Sequence, residues 1–297
     1  MIDTKLKGKT AIITGTNNPY GIGAAIAYLL ASQGVNIFLH YYKHDIDFPV
    51  SISQHNKHTP GLTFFFKQQR KNVDEVIKSI KPFGVQIASM EGNLREQKLV
   101  EEIFNEAEKQ LGEINILVNN AAEYLADTFL PPEILQKEPP LWENGPVKST
   151  ISKESFERHF SVNSFAISLL MAEFSRRLIL KKKKWGRIIN ITADCAWGCP
   201  GEVSYRASKY ATESYSRSAA AELGPYGITV NVVSPGPIQT GYISPEVERT
   251  IIPKIPLGRI GKPEDIADAV LFFASEQANW ITGQLLFVHG GHRMDLR

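Results

Sequence analysis

The chain has 297 residues, 43% of them hydrophobic and 22% charged, which suits a folded protein large enough to bury a substantial core. A formal net charge of +2 gives no reason to expect nucleic acid or an acidic membrane as partner. Two cysteines, Cys195 and Cys199, make no disulfide framework, and neither a membrane-length apolar run nor a signal-peptide core occurs, so a cytoplasmic protein is expected.

Short β-branched runs alternate with helical stretches along the whole chain. Strands are expected at 10–14, 36–40, 85–90, 114–119, 187–192, 229–234 and 285–288, and most are continuously apolar, as strands buried on both faces are. The first runs into Thr14-Gly15-Thr16-Asn17-Asn18-Pro19-Tyr20-Gly21-Ile22-Gly23 and then a helix over 24–31, so glycines let the backbone approach a pyrophosphate at a positive helix end. A further helix is expected over 99–111, where Leu99, Ile103, Ala107 and Leu111 recur on one face. The basic run Lys181 to Lys184 reads as a solvated helix end, its cations opposing the dipole. The last helix, 263–275, opens with Pro263 and two acids. This βαβ alternation predicts one α/β domain over 1–297, a doubly wound parallel sheet of Rossmann type with seven strands and helices on both faces.

Two stretches interrupt the rhythm. Residues 45–65 and 130–150 carry prolines, glycines and polar residues where a short connection would suffice, and both read as insertions. The second follows a strand end, the side on which such sheets bind ligands, so it is a candidate substrate wall or oligomer contact and equally a solvated excursion. His55 and His58 have no companions that would complete a ligand set, and no metal site is expected.

The most informative segment is Tyr205-Arg206-Ala207-Ser208-Lys209, a phenol and an ammonium one helical turn apart. Tyrosine ionises near ~10, and a cation ~5 Å away favours the phenolate by roughly 3 kcal/mol at an effective dielectric of ~20. Such a phenol becomes a usable general acid or base.

Together with Asn119-Asn120-Ala121-Ala122, Asn163, Ser234-Pro235-Gly236-Pro237-Ile238 and Ile281-Thr282-Gly283-Gln284…Gly290-Gly291, these features occur in the order found in short-chain dehydrogenases/reductases. The chain resembles that family over nearly its whole length, most closely its 3-oxoacyl-(acyl-carrier-protein) reductase members. The resemblance implies that Tyr205 exchanges the substrate proton, that Lys209 tunes it and binds the nicotinamide ribose, and that Asn163 anchors a relay water. It also implies cofactor contacts at Gly15, Asn17, Gly21, Ile22, Gly23, Asn93, Leu94, Asn120, Ala121, Tyr205, Lys209, Pro235, Gly236, Ile238 and Thr240. Tetramers or dimers are expected, formed through the helices around Asn163 and Tyr205 and through the C-terminal strand.

Four departures bear on the site. The glycine turn is two residues longer than the common form, Asn93-Leu94 replaces an Asp at the adenine, and Ala122 stands where Gly is usual. The family's catalytic serine is absent from Asn190-Ile191-Thr192-Ala193-Asp194. Spacing to the tyrosine selects Thr192, whereas counting from the strand selects Ala193, which has no hydroxyl. Thr192 offers the same donor and acceptor and is the first candidate for the carbonyl-binding role. Asp194 competes, because pteridine reductases of the family use an aspartate in this loop.

The second strand exits through His40-Tyr41-Tyr42-Lys43-His44 with no acid before Asp45, so Tyr42 and Lys43 are expected at a 2′-phosphate and NADP(H) is expected over NAD(H). The apolar Tyr242, Ile243, Val247, Ile251 and Ile252 suit a partly apolar ligand or simple core packing. The expected activity is reduction of a carbonyl, a 3-oxoacyl thioester or another ketone, by hydride transfer with Tyr205 as acid. A pteridine- or enone-type reductase is the enzymatic alternative, and a non-catalytic dinucleotide sensor the alternative of another class.

Overall fold

The computed structural model describes residues 3–43, 59–135 and 149–292. In chain order the elements are β1 (Thr10–Thr14), α1 (Ile22–Ser32), β2 (Asn36–Tyr41), α2 (Leu62–Gln69), α3 (Asp74–Ile80), β3 (Ile87–Glu91), α4 (Gln97–Leu111), β4 (Ile116–Asn119), β5 (Asp127–Thr128) and α5 (Pro132–Leu135). There follow β6 (Ser149–Thr150), α6 (Lys153–Phe160), α7 (Ile167–Leu180), β7 (Gly186–Ile191), α8 (Val203–Leu223), β8 (Ile228–Pro235), α9 (Pro245–Ile251), α10 (Pro263–Ala274) and β9 (Leu285–Val288).

Seven strands form one sheet in the order β3-β2-β1-β4-β7-β8-β9, every neighbouring pair parallel. This is the doubly wound sheet expected from the alternation. Every residue of β1, β4, β7 and β8 is buried, which explains their unbroken apolar runs: helices cover both faces. One face packs Ile26 and Leu30 of α1 and Val270 and Phe273 of α10 against Ile13 and Val118. The other packs Ile103 and Phe104 of α4 and Leu170 and Phe174 of α7 against Ile12, Leu117 and Ile188. The α4 stripe of Leu99, Ile103, Ala107 and Leu111 is buried as its spacing requires.

The order in which strands are added reverses between β1 and β4, and such a switch point opens a crevice at the carboxyl ends of the strands. The strand expected at 85–90 begins at Ile87, and that at 114–119 begins at Ile116 because Asn115 turns its side chain to the Thr10 N–H (3.1 Å). The lysine run is a helix end, as read: Lys181 pairs with Glu108 (2.6 Å) and Lys183 with Glu113 (2.7 Å).

Residues 44–58 and 136–148, most of the two expected insertions, lie outside the described residues. Of the first, the remainder leads into α2, which lies against the crevice. Of the second, β5 and β6 pair in parallel, Asp127 with Ser149 and Thr128 with Thr150, closing the base of the excursion.

Candidate active site

A cleft of about 1320 Å³ follows the carboxyl edge of the sheet from Asn93 and Leu94 to Tyr205 and Tyr242. Its floor is the turn between β1 and α1. Gly15 has φ +72°, and a side chain there would meet Ala121 Cα at 2.8 Å. At Gly23 an added Cβ would lie 2.4 Å from Gly15 O, so only glycine lets the helix start this close to the strand. Gly21 caps α1 without any side-chain hydrogen bond, which leaves the positive helix end open to an anion. Thr14 Oγ1 accepts the N–H groups of Asn120 and Ala121, and Asn120 Nδ2 donates to Thr14 O and Gly15 O, tying the end of β4 to the turn. This cradle fits a dinucleotide: it is long, glycine-floored and open at a helix N-terminus.

The two extra residues of the turn have a structural use. Asn18 donates to Thr240 O (3.0 Å) and accepts the Tyr20 N–H (2.9 Å), while the Tyr20 ring meets Phe64 edge-on at 5.1 Å. Asn17, expected at the cofactor, instead turns its amide to Gln69 O (2.6 Å), Lys71 O (3.1 Å) and Tyr42 O (3.2 Å). Its side chain therefore latches α2 to the turn and still borders the cleft. Gly61 N donates to Gly241 O, and Phe65 meets Tyr242 edge-on, so α2 also roofs the segment after β8. Pro235, Gly236, Ile238 and Thr240 line the far wall. Gly236 is pressed so close to His289 that a Cβ would lie 2.5 Å from its Cβ.

At the exit of β2, His40 is buried and donates from Nε2 to Gly92 O (3.0 Å), with burial holding its pKa down to about 4. A neutral ring follows, so no charge for a phosphate comes from His40. Tyr42 borders the cleft, and Lys43 pairs with Glu91 at 2.8 Å. Asn93 caps its own turn by accepting the Arg95 N–H (3.1 Å), and Leu94 is buried beside it.

Helix α8 carries Tyr205 and Lys209. Its buried face presents Ser208, Lys209, Thr212, Glu213 and Ser216 to β7 and to the π-helical turn Ser161–Ala166 that joins α6 to α7. π-Bulges of this kind gather at functional sites. Here it holds Asn163, whose Nδ2 donates to Glu123 O (2.9 Å) and Ser208 Oγ (3.0 Å) and whose Oδ1 accepts the Glu123 N–H (2.8 Å). The Asn163 carbonyl accepts the Thr212 hydroxyl. His159 accepts the Leu125 N–H at Nε2, which fixes its proton on Nδ1, donated to Ser155 O.

Lys209 Nζ donates to Ile191 O (3.0 Å) and lies 5.8 Å from the Tyr205 ring centre. Burial, with the Arg206 charge adding to it, brings its pKa down to about 7. The downward shift expected for Tyr205 is not the one this environment produces. Burial pushes the phenol up to about 12, Arg206 opposes that rise, and Glu202 and Asp194 add to it. Desolvation wins because a buried phenolate loses more hydration than a single cation returns.

The two candidates for the missing serine sit differently. Thr192 Oγ1 donates to Glu213 Oε1 (3.2 Å) against α8, spending its one proton there. Asp194 is buried at the cleft, 2.6 Å from His292 Nδ1 and 3.5 Å from Arg206 Nη1. Arg206 in turn binds Glu202, its Nε lying 2.6 Å from Oε2, and Glu202 Oε1 accepts the Tyr124 hydroxyl at 2.9 Å. Tyr124 meets Tyr205 edge-on at 5.0 Å and faces Tyr242 at 6.2 Å.

Tyr124, Glu202, Arg206 and His292 were not among the residues singled out by motif. Glu202 and Arg206 stand four apart on one helix beside the tyrosine, a readable signal. Tyr124 and His292 carry no such signal, since only the fold brings them in. Ile243, Ile251 and Ile255 pack with Ile260 as a small core, with Tyr242, Val247 and Ile252 against it; Tyr242, Ile243, Val247 and Ile251 also reach the cleft wall. Among the described residues no three His, Cys, Asp or Glu gather as a metal site, and no helix is long and apolar enough to cross a membrane.

Known proteins resemble this chain over nearly its whole length. A family model described as enoyl-(acyl carrier protein) reductase matches residues 57–293. An uncharacterized oxidoreductase of Bacillus subtilis, YjdA, is 33% identical over 95% of this chain and 96% of its own length. The 3-oxoacyl-(acyl-carrier-protein) reductase FabG of Aquifex aeolicus is 32% identical over 98% of this chain and 99% of its own. Among solved structures, a Serratia marcescens short-chain dehydrogenase/reductase double mutant superposes with a TM-score of 0.74 at 25% identity, covering 96% of this chain and 98% of that one. Acetoin dehydrogenase YohF of Salmonella typhimurium does so at 0.71 and 26%, covering 95% of each. With its parallel sheet, glycine turn and Tyr205/Lys209 helix, this chain belongs to the short-chain dehydrogenase/reductase family and is an oxidoreductase.

Proposed function

We propose that this oxidoreductase reduces the carbonyl of a small molecule or thioester with NADPH, and that Tyr205 delivers the proton. The observation that carries the reading is the phenol itself, half-buried in the wall of a dinucleotide-shaped cleft with Lys209 one turn away. Gly15, Gly21, Ile22 and Gly23 would hold the pyrophosphate, Asn93 and Leu94 the adenine, and Asn120, Ala121, Lys209, Pro235, Gly236, Ile238 and Thr240 the nicotinamide half. Asn17 supports that site from behind by latching α2. A reduced nicotinamide, when bound, supplies hydride. Tyr205 gives up its proton as negative charge develops on the carbonyl oxygen. Lys209, poised near neutrality, both stabilises the phenolate and hands on a proton, while Asn163 fixes the wall behind it.

FabG of Aquifex aeolicus supports a 3-oxoacyl thioester as substrate, and the apolar Phe64, Phe65 and Tyr242 on the wall suit its acyl part. NADP(H) is supported by Tyr42 and Lys43 at the exit of β2, where a 2′-phosphate would draw Lys43 from Glu91. Dimers or tetramers in the cytoplasm complete the reading. A second reading, reduction of a pteridine-like imine, is favoured by Asp194, whose carboxylate oxygens in the cleft can accept hydrogen bonds, as from a ring N–H. Under the first reading Thr192 takes the carbonyl once its hydroxyl leaves Glu213. A sensor without catalysis is disfavoured by the presence of Tyr205, Lys209 and Asn163 together.

Turnover of acetoacetyl thioesters, simple ketones and a dihydropteridine with NADPH and NADH tests this. Tyr205→Phe should bind NADPH as before and lose turnover by about a hundredfold or more. Retained turnover would remove Tyr205 from the chemistry. A preference for NADH would reverse the cofactor assignment, and reduction of the pteridine alone would select the second reading.

A further inference from the structure

The side chain between the tyrosine and the lysine of this motif has a place of its own in the site. Arg206 is nearly buried, and its guanidinium lies 5.4 Å from the Tyr205 ring centre, as close as the Lys209 ammonium at 5.8 Å. It does not reach solvent as an arginine on a helix surface would. Glu202 fixes it from one helical turn earlier, through both Nε and Nη2, and Asp194 approaches from the loop after β7. Each carboxylate has a second partner, the Tyr124 hydroxyl for Glu202 and the His292 ring for Asp194. Four side chains from four parts of the chain thus hold one cation against the phenol.

We propose that Arg206 is a positioning residue for Tyr205: it is a second cation, besides Lys209, that stabilises the phenolate, and Glu202, Asp194 and His292 set how much of its charge the phenol feels. The inference rests on the reading of Tyr205 as proton donor. The groups facing the phenol are Arg206, Lys209 and Glu202 on its own helix, Asp194 after β7, Tyr124 after β4, His159 on α6 and Tyr242 after β8, with His292 acting through Asp194. Of these, Arg206 is the leading influence that lowers the Tyr205 pKa, and Glu202 and Asp194 raise it. The Arg206 side chain is only 11% exposed, so its charge acts on the phenol with less screening than a surface cation would. A merely structural Arg206 would hold Glu202 and Asp194 together and leave the phenol indifferent to its charge.

The two roles separate by direction. In the holoenzyme with NADP⁺, ultraviolet titration of the phenolate, taken as the difference from Tyr205→Phe on the same background, reports Tyr205 without needing a substrate. Arg206→Gln should move its ionisation to higher pH by about one unit, and Glu202→Gln to lower pH by a similar amount, about a tenfold change in phenolate fraction each way. Arg206→Lys should restore most of the wild-type position. Should Arg206→Gln fail to fold, Glu202→Gln and Asp194→Asn decide the matter, each lowering the midpoint. Unmoved midpoints, or an Arg206→Gln shift in the same direction as that of Glu202→Gln, overturn the proposal. If instead Tyr205→Phe keeps full turnover, the functional reading falls, whatever the titration gives.

Discussion

Lys209 is almost wholly buried, and its Nζ has one hydrogen bond, to Ile191 O. An ammonium in such a place is costly, and the fall of its pKa from 10.5 to about 7 expresses that cost. The unfolded chain binds the proton below about 10.5, and the folded chain only below about 7. The penalty, on the order of 4–5 kcal/mol, is therefore full below pH 7, shrinks as pH rises, and vanishes above 10.5. Lys209→Met removes it and keeps the volume, so we expect the cofactor-free variant to melt several degrees higher at pH 7 and to lose turnover. Calorimetry across pH checks both halves: the gain should decline toward pH 10. A lower melting temperature at pH 7 would mean that the Ile191 bond outweighs the buried charge.

Helix α2 has no strong amphipathic stripe and one buried side chain, Gln68, so it does not hold its place by core burial alone. Among the described residues, contacts that hold it include the Asn17 amide on Gln69 and Lys71, Gly61 on Gly241, and edge-on rings linking Phe64 to Tyr20 and Phe65 to Tyr242. Elements secured in this way open at low free energy. Asn17→Ala strands buried carbonyls, at a cost of about 1–3 kcal/mol. We expect it to speed chymotrypsin cleavage in the Phe64–Phe66 run and to raise the KM for NADPH more than it lowers kcat. An unchanged cleavage rate would show that the aromatic contacts suffice. The same contacts explain the longer glycine turn: Asn18 reaches outward to Thr240 and Tyr20 to α2, while Gly15, Gly21 and Gly23 keep the close approach of strand and helix.

Over the whole molecule, the apolar surface is uneven. Trp280 is 99% exposed, and Phe165, Tyr210 and Tyr215 stand about half exposed on the helices around Asn163 and Tyr205. Leu286 on the edge strand β9 is exposed as well. Large apolar side chains on a helix face and beside a sheet edge mark surfaces that another chain covers. Sedimentation should give a dimer or tetramer, and Phe165→Glu or Trp280→Glu should drive it toward the monomer. A wild-type monomer at micromolar concentration would dispose of this assembly.

The strands and the glycine turn were legible because they rest on local rules: unbroken apolar runs for strands covered on both faces, and glycine where a Cβ cannot fit. The pairing of Tyr205 with Lys209 was legible for the same reason, since four residues on a helix are neighbours in any fold. What no local rule encodes is the environment. The tertiary structure turned Thr192 toward Glu213, brought His292 onto Asp194 from 98 residues away, and pushed the Tyr205 pKa up rather than down. Position along a helix fixes which groups are near, whereas burial and charges from distant segments fix what being near is worth.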